Sequence, residues 1–365
     1  MDWRGIGTFL SCVLLAASCG APASSSRAPL GSGQAATSSS TGQRSNGIGQ
    51  NSLAYQVVLA DTRTISVELT TRFALVVRDE ERAPNSKPEV RRIDLAKADF
   101  DILDLVATRD GSRVYVASTA GWVRGYDVDR GKLLSEWRMG SSATALALSE
   151  DAKWLVIGTS TGVLCLRRLR DGAQLQCVAA HSAQVSALAI SGAQLASGDW
   201  DGNVVLWSLP TMREDRRIEG TGFLSALAWS PNGKTLAAAR NRRRPERTPE
   251  LNDAEKRSAY IDPIGHNVIE LHSSSKSMPI ILKGHRSVIS ALAWSGPDLL
   301  STSWDRTVRI WNTRAPMTHR IALKLQHLAS DVAASKLGGF AAVASWATDN
   351  EGTSLTKLRL LYPTR

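Results

Sequence analysis

The side chains best suited to chemistry fall in one stretch, Gly284 to Trp311, which holds His285, Ser301 and Asp305. These are the parts of a nucleophilic triad, in which an imidazole takes the hydroxyl proton and a carboxylate orients the ring. The chain carries the set twice, the other copy being His181, Ser197 and Asp201. From His to Asp is 20 residues in both copies (181 to 201, 285 to 305), and from Asp to a tryptophan, Trp207 or Trp311, is six. An active site needs one nucleophile. Two copies at one spacing are the mark of a repeated structural unit, so both sets are read as structural and no residue is assigned a catalytic role.

Other candidate sites are weaker. Gly158-Thr159-Ser160-Thr161-Gly162 matches the G-x-S-x-G pattern, but a nucleophile elbow needs a helix after the serine, and Val163 to Leu166 reads as a strand. Gly233-Lys234-Thr235 resembles the end of a phosphate-binding loop, yet Ala228 stands where its first glycine belongs, so the segment is read as a β-turn. The six histidines, His181, His266, His272, His285, His319 and His327, show no metal-ligand spacing. Neither a metal nor a cofactor is therefore expected. Cys165 and Cys177 flank the turn Arg170-Asp171-Gly172 and could lie opposite one another on adjacent strands; a disulfide and two free buried thiols are equally open. Arg242, Arg243, Arg244 and Arg247 lie in a polar insertion, Arg240 to Asp262, and could dock an anionic partner, the other reading being a solvated loop.

The elements that must position these groups are strands. From Leu53 onward, short runs of Val, Leu, Ile and Ala alternate with turn signals such as Arg109-Asp110-Gly111 and Pro231-Asn232-Gly233, and no segment keeps a 3.6-residue period. The spacing marks units at 102 to 138, 143 to 179, 185 to 218, 224 to 282, 288 to 325 and 328 to 362, with a degenerate unit from 64 to 99. Such a period fits four-stranded propeller blades. Tyr55 to Ala60 is left over as a strand, and it is expected to complete the last unit and close the ring.

Gly284-His285, Ser301-Thr302-Ser303, Asp305 and Val308 to Trp311 together resemble a repeat of the WD-repeat β-propeller family. The resemblance implies hydrogen-bonded tetrads of His181, Ser197, Asp201 and Trp207 and of His285, Ser301, Asp305 and Trp311. A buried indole N–H needs an acceptor, and a chain ending on a carboxylate satisfies each group in turn. Other units depart from the pattern: Thr161 and Arg167 stand at the Asp and Trp positions of one, Ala120 and Tyr126 of another, and Leu271 at the Trp position of a third. The expected fold is an all-β, seven-bladed propeller over residues 53 to 365. By the same resemblance it is a monomeric platform that holds a protein or peptide and does no chemistry. Two alternatives come from other classes: an enzyme or small-ligand binder using the central channel, and a domain held to polyanions or anionic lipid by the 240 to 262 loop.

At the N-terminus, Arg4 precedes an apolar run, Ile6 to Ala17, too short to span a bilayer and followed by small residues, as in a secretory signal over residues 1 to 18. Leu15-Ala16-Ala17-Ser18-Cys19 resembles a bacterial lipobox, which implies a diacylglycerol on Cys19. Gly20 after it points, by resemblance to enteric sorting rules, to the outer membrane. Residues 19 to 52 are almost wholly Ser, Gly, Ala, Gln, Thr and Pro and are expected to form a tether. The expected location is the bacterial cell envelope, lipid-anchored, with a soluble periplasmic or secreted protein as the alternative. A formal net charge of +10 is read as a solvated basic surface, since no nucleic-acid-binding motif accompanies it.

Overall fold

The computed structural model describes residues 53–61, 63–69, 73–79, 90–95, 102–242, 266–273, 278–313, 318–325, 328–334, 340–346 and 354–359. The expected signal segment, the tether with Cys19, and Arg243, Arg244 and Arg247 lie outside the described residues.

All described secondary structure is strand. The first blade is β1 (Leu53–Leu59), β2 (Arg63–Leu69), β3 (Phe73–Asp79) and β4 (Val90–Asp94). The second is β5 (Ile102–Ala107), β6 (Arg113–Ser118), β7 (Trp122–Asp127) and β8 (Lys132–Arg138). The third is β9 (Ala143–Leu148), β10 (Trp154–Thr159), β11 (Val163–Arg168) and β12 (Gln174–Ala179). The fourth is β13 (Val185–Ser191), β14 (Gln194–Asp199), β15 (Val204–Ser208) and β16 (Arg213–Ile218). The fifth is β17 (Phe223–Trp229), β18 (Thr235–Asn241), β19 (Val268–Ser273) and β20 (Ile280–Lys283). The sixth is β21 (Ile289–Ser295), β22 (Asp298–Ser303), β23 (Thr307–Asn312) and β24 (Thr318–Lys324). A last sheet has three strands, β25 (Leu328–Ala334), β26 (Phe340–Trp346) and β27 (Ser354–Arg359). Each sheet is an antiparallel meander whose strands pair in chain order.

Two expectations are corrected here. The strand expected to complete the last sheet instead opens the first blade: β1 pairs with β2 from Leu53↔Leu69 to Leu59↔Thr64. The first blade therefore runs from Leu53 to Asp94, not from 64 to 99, and six sheets are complete four-stranded blades rather than seven. The reason is local. Ala60 N–H donates to Arg63 O at 2.8 Å across a tight turn, so this hairpin closes a far shorter loop than pairing with the distant C-terminal sheet would. β1 still lies against β25 and β26 on one side and β5 on the other, with Val57 packed on Ala342 and Ala344.

The core sits between the sheets. Leu164, Leu166, Val205 and Trp207 join the third blade to the fourth, and Ala237, Ile269, Leu299 and Trp311 join the fifth to the sixth. Close approach is built into the second strands: a Cβ on Gly198 would lie 1.9 Å from Leu224 Cδ2 of the next blade. A larger side chain there would push the fourth and fifth blades apart.

Cys165 and Cys177 lie directly opposite on β11 and β12 and form a disulfide with an S–S distance of 1.96 Å. Cys177 is exposed, so a reductant can reach the bond in the folded protein. Closing a loop of sequence separation 12 stabilises the fold by about 2–3 kcal/mol through the unfolded chain. Reduction is expected to lower the urea midpoint accordingly, and alkylation followed by mass measurement checks that both thiols were released.

Candidate functional site at the channel mouth

Two buried hydrogen-bonded chains brace the rim of the ring. In the sixth blade Trp311 Nε1–H donates to Ser301 Oγ at 2.8 Å, and Ser301 Oγ lies 2.6 Å from His285 Nε2. His285 Nδ1 then meets Asp305 Oδ2 at 2.9 Å. Asp305 also accepts from Arg286 N, Thr307 N and Thr307 Oγ1. Burial first, and then the charge of Arg309, lowers the His285 pKa. The ring is thus neutral and passes one proton donor to the carboxylate. Burial pushes the Asp305 pKa up, but the bonds from His285, Thr307 and Arg286 outweigh it and hold it at about 2.

In the fourth blade Trp207 Nε1–H donates to Ser197 Oγ at 2.8 Å and Ser197 Oγ meets His181 Nε2 at 2.7 Å. The carboxylate against His181 Nδ1, at 3.0 Å, belongs to Asp199 and not to the expected Asp201. Asp199 ends β14 two residues after Ser197, so both side chains share one face of the strand. It further accepts from Asp201 N, Asn203 N and Asn203 Nδ2. In the sixth blade the matching position is Ser303, whose hydroxyl is too short for the task and donates to Ser287 O, so the turn residue Asp305 supplies the carboxylate. Both serines are fully buried and accept from an indole, which leaves neither able to meet a substrate.

The channel was expected, but the residues that line it were not identified. Four innermost strands repeat the same four residue types: Thr144-Ala145-Leu146-Ala147, Ser186-Ala187-Leu188-Ala189, Ser225-Ala226-Leu227-Ala228 and Ser290-Ala291-Leu292-Ala293. Each innermost strand has a register shift at the first of these positions, between Val185 and Ala187 for example. The bulge turns the hydroxyl sideways, where it pins the next sheet: Thr144 Oγ1 donates to Val185 O at 2.6 Å, Ser225 Oγ to Ile289 O at 2.5 Å and Ser290 Oγ to Ala329 O at 2.8 Å. Small Ala residues follow because the converging strands leave little room.

Three neighbouring sheets break that pattern, with Asp331, Gln56 and Asp104 in the place of the first Ala. Asp331 Oδ2 accepts from Val57 N at 2.9 Å, Gln56 Nε2 donates to Leu103 O at 2.6 Å and Asp104 Oδ2 accepts from Leu146 N at 2.6 Å. All three line a central channel of about 290 Å³ whose wall draws on the innermost strand of every sheet. Burial raises the Asp104 pKa to about 7 against the pull of two backbone N–H groups, and Asp331 adds to the rise. Burial likewise takes Asp331 to about 6.

The two groups bind a proton more tightly folded than unfolded, where the pKa is 3.8. Their contribution is therefore complete below about pH 4 and is lost as pH rises through 6 and 7. Asp305 works the other way, stabilising above 3.8 and losing that effect as pH falls toward 2. Urea resistance is expected to peak at mildly acid pH. A Asp104→Asn, Asp331→Asn double variant should flatten the alkaline side of the profile, and urea unfolding across pH 4 to 8 checks it.

At the mouth of the channel stand Trp200 and Trp304, each the first residue of the turn between the second and third strands of its blade. Their backbones are fixed by Trp200 N–H to Gln184 O at 3.1 Å and Trp304 N–H to Val288 O at 2.9 Å. Both side chains are half-buried, and Phe223 of the fifth blade lines the same wall. Gly202 closes the first turn at φ 89°, and its Cβ would meet Thr221 O at 3.1 Å. A side chain there would move Trp200.

The basic insertion begins later than expected. Arg240 and Asn241 belong to β18, and Arg240 is buried, with Nε on Glu270 Oε2 at 2.5 Å and Nη1 on Gly202 O. A residue holding two blades together in this way is no docking group. Arg242 is exposed and its N–H donates to Asn267 Oδ1 at 3.0 Å. Gly158 to Gly162 forms the hairpin between β10 and β11, and Arg167, at a Trp position, bonds Gly172 O and Gln174 Oε1 beneath Trp137. Among the described residues no three His, Cys, Asp or Glu are grouped to hold a metal ion.

Two segments, 172–208 and 276–312, match the family model for the WD domain, G-beta repeat. They are WD40 repeats, and each contains one of the hydrogen-bonded chains and one rim tryptophan. The chain is 28% identical over 196 residues to dihydro-heme d1 dehydrogenase of Pseudomonas aeruginosa, covering 51% of this chain and 36% of that protein. It is 31% identical over 138 residues to the small ribosomal subunit protein RACK1z of Arabidopsis thaliana, covering 37% of this chain and 41% of that protein. It thus spans less than half the length of either relative. A chain of the crystal structure of the mitotic checkpoint complex superposes with a TM-score of 0.67 at 17% identity, over 90% of this chain and 99% of that one. A likeness at that identity is one of fold.

Proposed function

We propose that this propeller is a non-enzymatic platform that holds a protein or peptide across the channel mouth. The observation that carries this is the pair Trp200 and Trp304, half-buried on rigid turns at the rim of a concave opening. Large aromatic side chains held in place lose little entropy on binding and dominate the energetics of interfaces. The buried chains behind them keep the turns fixed, which is the preorganisation that such a surface needs. In this reading the three-stranded sheet serves as a seventh blade, and the particle is a monomer. In-cell crosslinking with mass spectrometry, comparing the wild type with a Trp200→Ala, Trp304→Ala variant, tests the reading.

The proposal includes export and a lipid anchor at Cys19, supported by the apolar run Ile6 to Ala17 and the sequence Leu15 to Cys19. The Cys165–Cys177 disulfide fits an oxidising compartment outside the cytoplasm. A second reading, a channel that takes a small cationic ligand, is favoured by Asp104 and Asp331 alone. Both carboxylates are already engaged in joining neighbouring sheets, which is why it ranks second.

A further inference from the structure

Three innermost strands that neighbour one another, β25, β1 and β5, place an acceptor at one level of the channel: Asp331, Gln56 and Asp104 each stand just after the register shift of their strand. In both aspartates one oxygen accepts from the next backbone N–H, Leu105 N to Asp104 Oδ1 and Val332 N to Asp331 Oδ1, at 2.8 Å each, and the other from the adjoining sheet. A carboxylate oxygen has two lone pairs, so each of the four keeps one. Both aspartates are partly exposed, and both line the channel. Two further groups of the same lining are buried without a hydrogen-bond partner, Gln56 Oε1 and the hydroxyl of Ser330, a residue 8% exposed. The matching hydroxyl on β21, Ser290, is occupied in pinning the next sheet.

The chain carries 44 Lys and Arg and a formal net charge of +10, yet among the described residues that line the channel Asp104 and Asp331 are the only ones that ionise. Burial holds both carboxylates back from ionising, and Asp331 adds to this at Asp104. A cation set between them would reverse the effect. Closer to the mouth, Trp200, Trp304 and Phe223 line the same cavity, and the faces of aromatic rings attract cations. The depth follows from the strand. Trp200 N–H bonds Gln184 O at the rim, and Ala187, which holds on β13 the place of the aspartates, comes three residues later, about 10 Å along the strand. A long side chain entering from the mouth spans that distance.

We propose that the channel takes a basic side chain, Lys or Arg, of the protein bound at its mouth, with the charged end on Asp104 and Asp331 and the stem between the rim aromatics. The inference rests on the platform reading and names what the partner must carry. Basic side chains have an apolar stem and a charged tip, which matches an aromatic entrance over an acidic floor; a bare metal ion would use only the floor.

The test uses the full chain labelled with 15N at the tryptophan indoles. It is titrated at equal ionic strength with blocked Gly-Arg-Gly, with blocked Gly-Lys-Gly, with the citrulline analogue of the first, which keeps the shape without the charge, and with calcium chloride. Trp200→Phe and Trp304→Phe identify the two signals. The expected result at about pH 8 is a saturable shift of both with a basic peptide and none with citrulline. Binding should be at least about tenfold weaker at about pH 5, where both carboxylates hold protons. Asp104→Asn combined with Asp331→Asn should weaken it by at least about tenfold, with the urea midpoint recorded to show that the variant is folded.

Indole signals unmoved by both basic peptides overturn the subsite, as does an equal response to citrulline or a response undiminished at the lower pH. Calcium bound more tightly than either peptide does the same, since that marks a metal site. So does an undiminished response in the folded double variant; should that variant unfold, the citrulline and pH arms decide alone. The two proposals separate in cells. Equal capture of the partner by wild type and the folded double variant refutes the subsite and leaves the platform standing. A peptide response from a wild type that captures no partner refutes the platform and leaves the subsite.

Discussion

Asp199→Ala is expected to lower the unfolding free energy by about 3 kcal/mol, and Asp201→Ala by less than about 1 kcal/mol, although the two residues stand side by side in the same turn. The difference follows from what each carboxylate holds. Asp199 is fully buried and accepts from the His181 ring, two backbone N–H groups and the Asn203 amide. Removing it leaves those donors facing a dry interior. It also frees the His181 ring, on which Ser197 and then Trp207 depend. Asp201 is a half-buried turn residue whose own N–H is one of the Asp199 donors. In the sixth blade the order reverses: Asp305→Ala should cost about 2 kcal/mol, because there the turn residue ends the chain. Urea unfolding of the three variants at neutral pH measures all of this. Equal losses from Asp199→Ala and Asp201→Ala would mean that the fourth blade is braced as the sixth is.

That exchange shows what the sequence could and could not reveal. The histidines, serines and tryptophans were legible because each is fixed by its distance from strand ends. The carboxylate was not. Asp199 and Asp201 are two residues apart, both satisfy the chemistry, and the spacing of 20 shared with the sixth blade pointed to the wrong one; the working separation is 18 in the fourth blade and 20 in the sixth. Strand positions came from alternating apolar runs and turn residues, but alternation says nothing about partners. Tyr55 to Ala60 was therefore recognised as a strand and assigned to the wrong sheet.

The channel carboxylates escaped for a related reason. Asp104 and Asp331 sit in strands of ordinary appearance, and only the register places them beside Gln56 around one bore. A signal was present all the same. The recurring Ser/Thr-Ala-Leu-Ala run marks the innermost strand, and the two aspartates are the places where it fails. Arg240 misled through its company, since five arginines within a short span read as one loop until the strand ladder with β19 separates the first from the rest.

Trp200→Ala combined with Trp304→Ala is expected to weaken capture of the partner at least about thirtyfold, which is the effect of losing about 2 kcal/mol at an interface anchor. The loss should come without loss of the fold. Both side chains are half-buried at turn tips, and the backbone bonds to Gln184 and Val288 that hold the turns do not involve them. Truncation therefore removes the aromatic surface and keeps the frame. Asp199→Ala should do the reverse, reducing stability while the rim of the surviving folded molecules still binds.

The most direct measurement is in-cell crosslinking with quantitative mass spectrometry on wild type, the double tryptophan variant and a deletion of residues 243 to 262, with each variant's urea midpoint recorded alongside. The platform account predicts partners recovered with the wild type and lost with the double variant at an unchanged midpoint. Partners recovered equally with the double variant would contradict it, and partners lost only with the deletion would move the binding surface to the basic loop.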